Sequence, residues 1–258
     1  MSEAEIVVER ADSVLTVTFN RPRQRNAMTW AMYEGLYQAC EQADAGDGLR
    51  VMVLRGAGDR AFVAGTDIAQ FLDFESGRDG VAYEERVGRI VNRLEDVTIP
   101  TVAVIQGYCV GGGLALAAVC DLRIAGRSAR FGVPIARTLG NCLSMNTYSL
   151  LVHHLGPART LDLLLRARLL PAEDAHAAGF VSELCDDDEI DKVADEVVGE
   201  LRRHAPLSMW ATKEAIRRIR RAQLPDGDDI VARVFGSDDF HGAVRAFVAK
   251  EEVNWTGR

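Results

Sequence analysis

The chain has 258 residues, 48% of them hydrophobic, and a formal net charge of −8. That supports one sizeable core with a helical appendage, and the acidic balance argues against nucleic-acid binding. Five cysteines, an odd number with no C-x-x-C pair, read as reduced thiols rather than a disulfide framework or a zinc site. No apolar run approaches the ~20 residues that span a bilayer. The stretch Met1 to Glu5 is polar and acidic, unlike a secretory signal. A cytoplasmic protein with no membrane partner is the expectation.

Ile6 to Glu9 and Val14 to Phe19 alternate around Ala11-Asp12-Ser13, which is a β-hairpin pattern. Thr29 is placed to cap a helix from Trp30 to about Ala43. Val51 to Leu54 reads as a strand. Ala61 to Gly65 reads as a shorter one that runs into Thr66-Asp67-Ile68, a strand-to-helix junction with Asp67 as its cap. Glu75 to Gly80 reads as a loop, and Val81 to Asp96 as an amphipathic helix ended by Ile99-Pro100. Strand Thr101 to Ile105 then leads through Gly107-Tyr108-Cys109-Val110-Gly111-Gly112-Gly113 into a buried helix from Leu114 to Val119, followed by strand Leu122 to Ala125.

The second half is more helical. Helices are expected over Leu143 to Leu155, closed by Gly156-Pro157, then Ala158 to Arg166 and Ala172 to Ala178. A last strand, Phe180 to Leu184, precedes helices over Ile190 to His204, Pro206 to Ala222, Asp228 to Phe235 and Asp238 to Glu251. Alternating strands and helices followed by helices alone predict an α/β core with a C-terminal helical region.

The glycine segment carries the most chemistry. It places backbone N–H groups without intrahelical partners at the positive end of a helix, and glycine lets a ligand approach that backbone. Such a place holds an anion or an oxygen that becomes one during reaction.

Five separate segments, in order, resemble those of the crotonase, or enoyl-CoA hydratase/isomerase, superfamily, over almost the whole chain. They are Phe19-Asn20-Arg21-Pro22 with Arg25-Asn26-Ala27-Met28; Ala61 to Ile68; Gly107 to Gly113 with Cys120-Asp121; Phe131-Gly132-Val133-Pro134; and Phe247, Lys250, Trp255 and Gly257. The resemblance implies a spiral of ββα units, with residues 1–200 as an acyl-CoA-binding core and 201–258 as a C-terminal helical trimerisation region. It also implies a homotrimer or dimer of trimers. An acyl-CoA thioester is the implied substrate, with coenzyme A entering as part of it, no permanently bound cofactor and no metal. The thioester oxygen would be held by the N–H groups of Thr66 and Gly112, which leaves the Thr66 side chain without a required role. The coenzyme pocket would be formed around Arg25, Ala27, Ala64, Asp67 and Ile68, completed by Phe247 and Lys250. Arg25 suits a phosphate, although plain surface charge explains Arg25 and Lys250 equally well.

The pattern breaks where the family's hydratases carry two glutamates. Those positions hold Ala115 and Ile135, neither of which can move a proton. Positioned general acids and bases contribute about 10²–10⁴-fold each, so a conventional hydratase reaction is in question. Asn141 and Ser144 are candidates to orient a water or a substrate carbonyl, with helix capping the plainer explanation. Cys142 reads as buried and inert. Tyr83, Glu84 and Glu85 fall in the region that covers the acyl pocket in relatives, where one of them could replace the missing acid or base. His153-His154 do not share a helix face, Asp186 to Glu189 read as a solvated helix start, and Arg217, Arg218, Arg220 and Arg221 as a solvated face. Three activities stay open at this point: hydration or isomerisation of an enoyl-CoA; decarboxylation or thioester hydrolysis; and acyl-CoA binding without turnover.

Overall fold

The computed structural model describes residues 4–46, 48–222, 224–253 and 255–258. The expectation about Met1 to Glu5 therefore falls partly on residues outside the described ones. Strands β1 (Ile6–Ala11) and β2 (Val14–Phe19) form the expected antiparallel hairpin, with Ile6 opposite Phe19 and Ala11 opposite Val14. Helix α1 (Trp30–Ala45) starts where Thr29 Oγ1 accepts the Met32 N–H at 3.3 Å.

From there the chain repeats one unit. A strand enters a large sheet, the next enters a small sheet, and a helix follows. The first unit is β3 (Val51–Gly56), β4 (Ala61–Ala64) and α2 (Gly77–Glu95), with a 3-10 turn (Ile68–Phe71) between strand and helix. The second is β5 (Thr101–Ile105), β6 (Tyr108–Val110) and α3 (Gly112–Val119). The third is β7 (Leu122–Gly126) and β8 (Arg130–Gly132), followed by the short α4 (Ile135–Thr138) and the long α5 (Met145–Leu165). Then come β9 (Leu170–Pro171), α6 (Ala172–Ala177), β10 (Glu183–Cys185) and α7 (Ile190–Arg203). The large sheet has the order β1-β2-β3-β5-β7-β10 and the small one β4-β6-β8-β9.

In the large sheet β2, β3, β5, β7 and β10 run parallel and are covered on both faces. Val51, Val53, Val102, Val104 and Ile124 pack against Ile190, Ala194 and Val198 of α7. Met52, Leu54, Ala103, Ile105 and Ala125 face the main core instead. Two buried faces explain why these strands read as unbroken apolar runs rather than alternating ones.

Helices α8 (Pro206–Arg221), α9 (Asp228–Phe235) and α10 (Asp238–Ala249) end the chain. Phe235 and Phe240 join Phe71, Tyr83, Leu139 and Cys142 in a second aromatic-rich cluster. No helix among the described residues is long and apolar enough to cross a membrane.

Several expectations are corrected. Glu75 to Gly80 is not all loop, because α2 begins at Gly77 under a capping box in which Ser76 and Asp79 satisfy each other's backbone N–H. Gly107 to Gly113 is not one turn. It reverses at Gly107, adds β6 to the small sheet, and reverses again at Gly111 (φ 57°). The final strand is Glu183–Cys185 rather than Phe180 to Leu184. The arginines of α8 are not a freely solvated face. Arg220, with its side chain 4% exposed, pairs with Glu95 of α2 at 2.5 Å, and Arg217 and Arg221 pair with Asp96. Asp187 is also engaged, accepting from the Ser128 hydroxyl at 2.8 Å.

Candidate active site

Two loops converge on the start of α3. In the first, Asn26 is buried and holds the loop to β4: its Nδ2 donates to Ala61 O at 2.7 Å and its Oδ1 accepts from the Arg21 N–H at 3.0 Å. The Ala64 N–H donates to Arg25 O, which sets β4 beside that loop. The chain then forms a parallel bridge between Met28 and Thr66, in which Met28 N–H donates to Gly65 O and Asp67 N–H donates to Met28 O. Thr66 lies between those two bonds with its own N–H unused.

In the second loop, Gly111 takes a conformation that L side chains rarely adopt, and Gly112 begins α3. Gly113 packs so closely on β4 that a Cβ there would collide with the Val63 carbonyl. Among the described residues, neither the Thr66 nor the Gly112 N–H donates to a protein oxygen.

Both N–H-bearing residues line a pocket of about 350 Å³. Its walls also include Arg25, Ala64, Ile68, Asn141 and Phe247 of the expected site residues. Ala115 and Ile135 line it as well, so the two apolar replacements face the same space as the free N–H groups. Arg25 sits with its guanidinium 5.1 Å from the centre of the Tyr108 ring, and Tyr108 also borders the pocket. Ala27, Asp67, Ser144 and Lys250 fall outside the lining. Asp67 caps the 3-10 turn through the Ala69 N–H and pairs with Arg21 at 3.2 Å, Ala27 O accepts from Arg21, and Lys250 closes α10.

The Thr66 side chain, expected to be idle, is engaged. Its Oγ1 lies 2.9 Å from the Tyr33 hydroxyl and 2.7 Å from the Tyr83 hydroxyl, and all three residues line the pocket. Burial pushes the Tyr33 phenol up to about 12 and the Tyr83 phenol well above its ordinary value, so both stay protonated. Trp30 braces the two rings at centroid distances of 5.7 and 5.6 Å. Tyr33 lies 33 residues before Thr66, on α1, and no local pattern in the sequence links the two.

Of the neighbours Tyr83, Glu84 and Glu85, the first two line the pocket and the third is exposed. Burial raises the Glu84 carboxyl to about 7, partly offset by the polar groups of Ser144 nearby. Ser144 caps α5, its hydroxyl accepting the Thr147 N–H at 3.4 Å. Asn141 does not cap α5, and its buried Oδ1 has no partner. Cys142 is buried, and burial pushes its thiol up to about 12, consistent with an inert residue. His154 is held by Ala118 O at 2.8 Å, with burial bringing the imidazole down to about 4.

A pocket with two free backbone donors, a hydroxyl cluster and one carboxyl titrating near neutrality can polarise a carbonyl and move a proton beside it. Comparison with known proteins gives the family. Residues 9–258 match the family model described as enoyl-CoA hydratase/isomerase. The 2,3-dehydroadipyl-CoA hydratase of Escherichia coli (strain K12) is 29% identical over 259 residues, covering 99% of this chain and all of that protein. A solved enoyl-CoA hydratase/carnithine racemase from Magnetospirillum magneticum superposes with a TM-score of 0.81 at 31% identity, covering 100% of this chain and 97% of its own. The fold is also that of a methylmalonyl-CoA decarboxylase in complex with 2-nitronate-propionyl-CoA, with a TM-score of 0.90 at 23% identity and both chains fully covered. With the mixed α/β fold, the family's segments in order and the match along nearly its whole length, the chain belongs to the enoyl-CoA hydratase/isomerase family.

Proposed function

We propose that the protein is an enoyl-CoA hydratase or isomerase in which the Thr66 and Gly112 N–H groups hold the thioester oxygen and Glu84 carries the proton. The acyl-CoA is the substrate, and coenzyme A enters only as part of it. The observation that carries this reading is the placement of Glu84, half-buried and raised to about 7, in the same pocket as the two free N–H groups. As electron density moves from the acyl carbons onto the thioester oxygen, preorganised donors stabilise the enolate, with one such donor contributing about 3–4 kcal/mol in comparable sites. A carboxyl near 7 can take a proton from water and return it at C2 in hydration, or take the C2 proton of a 3-enoyl thioester and return it at C4 in isomerisation. Ala115 and Ile135 offer no alternative at the usual positions. The homotrimer or dimer of trimers implied by the family is part of this proposal, and the exposed Leu207, Ile216 and Ile219 on α8 supply apolar surface for it.

A second reading is favoured by the apolar character of Ala115 and Ile135. Decarboxylation generates the enolate without removing a proton, so it needs the N–H pair more than it needs a base. Incubation with crotonyl-CoA in ¹⁸O-labelled water, followed by mass spectrometry of the thioester, tests the first. Labelled hydroxyacyl-CoA made by the wild type but not by Glu84→Gln is the expected result. A 3-enoyl-CoA converted to the 2-enoyl isomer with the same Glu84 dependence also supports it. Turnover unaffected by Glu84→Gln overturns the role of Glu84. Carbon dioxide released from a malonyl-type CoA, with crotonyl-CoA and 3-enoyl-CoA untouched, puts the second reading in place of the first. Binding of thioesters with no turnover at all would make the protein a carrier of acyl-CoA.

A further inference from the structure

We propose that the Thr66 hydroxyl is a third donor to the ligand oxygen held by the Thr66 and Gly112 N–H groups, with Tyr33 and Tyr83 both donating to Thr66 Oγ1. This rests on the reading of those N–H groups given above. The argument starts from a count of protons. Three hydroxyls bring three protons, and two hydrogen bonds join them, both at Thr66 Oγ1 (2.9 and 2.7 Å). One proton is therefore left over. Burial keeps both phenols protonated, so the surplus is not lost by ionisation.

Either oxygen of each pair could donate, and the assignment of that proton to Thr66 rests on donor strength, a phenol O–H being more acidic than an aliphatic one. Thr66 Oγ1 alone takes part in both bonds. With its two lone pairs occupied by the phenols, its own O–H is polarised and points elsewhere. A thioester oxygen gaining negative charge is a strong acceptor and draws the surplus proton outward.

Location agrees. The hydroxyl belongs to the same residue as the first N–H donor. A Cβ built on Gly112, the second donor residue, would lie 3.5 Å from Thr66 Oγ1 and 2.9 Å from the Tyr33 hydroxyl. The cluster is thus packed against both donor residues. Trp30 on both rings and Phe71 on Tyr83, at 4.9 Å between centroids, hold it in place, so little reorganisation is needed on reaction.

The test is the carbonyl stretch of [1-¹³C]butyryl-CoA bound to the full chain, read by difference infrared spectroscopy, alongside kcat/KM with whichever enoyl-CoA the wild type turns over. Thr66→Val keeps the shape and the N–H and removes the hydroxyl. It should move the stretch part of the way back toward its solution value and lower kcat/KM about ten- to a hundredfold, mostly in kcat. Thr66→Ser should restore both. Tyr33→Phe and Tyr83→Phe each leave one surplus proton and should shift the stretch less than Thr66→Val does. A wild-type stretch already at its solution value overturns the N–H reading itself. A shifted wild type with Thr66→Val shifted equally overturns only the third donor, as does a larger loss in either phenylalanine variant than in Thr66→Val.

Discussion

The pocket is built in two ways. Around Thr66 and Gly112 the working groups are backbone N–H groups, and what holds them is chain geometry: a parallel bridge to Met28, a positive-φ glycine and a glycine pressed against Val63. Around Glu84 and Asn141 the working groups are side chains on α2 and the segment before α5. Backbone donors depend on which residues fit, whereas side-chain groups depend on which residues are present. The first part keeps the family's pattern and the second has lost two carboxylates.

Substitutions in each part should therefore fail differently. The largest effect is expected from Glu84→Gln, with turnover falling about 10²–10⁴-fold and the fold retained. Its pH signature has a defined sign. The folded protein raises Glu84 to about 7, so the stability tied to its proton is complete below the ordinary carboxylate value. It is lost as pH rises from there through about 7. Thermal or denaturant melts from pH 4 to 8 should show the wild type losing up to about 3 kcal/mol relative to Glu84→Gln.

Gly113→Ala should break the backbone part by unfolding it. A Cβ driven into the Val63 carbonyl costs about 3 kcal/mol, and the melting temperature should fall by about 10 °C. Gly112→Ala is milder because the new methyl meets side-chain hydroxyls, Tyr33 at 2.9 Å and Thr66 at 3.5 Å, rather than backbone. Activity should drop about tenfold while the melting temperature stays within a few degrees of wild type. Asn141→Leu removes a buried acceptor that has no partner. It should stabilise the ligand-free protein by about 1 kcal/mol and slow turnover several-fold, both measurable on one purified sample. Asp67→Asn keeps the cap and loses only the Arg21 pair, so its cost should stay below about 1 kcal/mol in a denaturant melt.

The same division explains what was readable in the sequence. The large-sheet strands, the hairpin and the amphipathic helices show as periodicity, because each buries a face that its own residues define. The N–H positions show because glycine and the flanking segments mark them. What was missed depends on partners distant in the chain. Strands β6 and β8 have three residues each, too few for a pattern, and exist because β6 pairs with β4 and with β8, and β8 also with β9. The first turn of α2 looks like loop because of Gly77 and Gly80, yet both pack against α9, where Ala232 and Phe235 leave no room for a side chain. The arginines of α8 look solvated until Glu95 and Asp96 of α2 are brought beside them. Glu84 and Glu85 are indistinguishable as letters, and only the direction of α2 sends one into the pocket. The role of Ser144 was readable, because its cap is local.

The glycine contact between α2 and α9 also bears on how the molecule comes apart. Helix α2 carries Tyr83 and Glu84, and it is clasped by α9 at Gly77 and Gly80 and by α8 through Glu95 and Asp96. Ends of chains usually fray first. Here the terminal helices cannot lift away without releasing the helix that bears the proton carrier. Amide hydrogens of α9 and of the first two turns of α2 should therefore exchange with deuterium as one cooperative unit. A partial opening at the chain's end would be felt in the pocket before any strand of the large sheet separates.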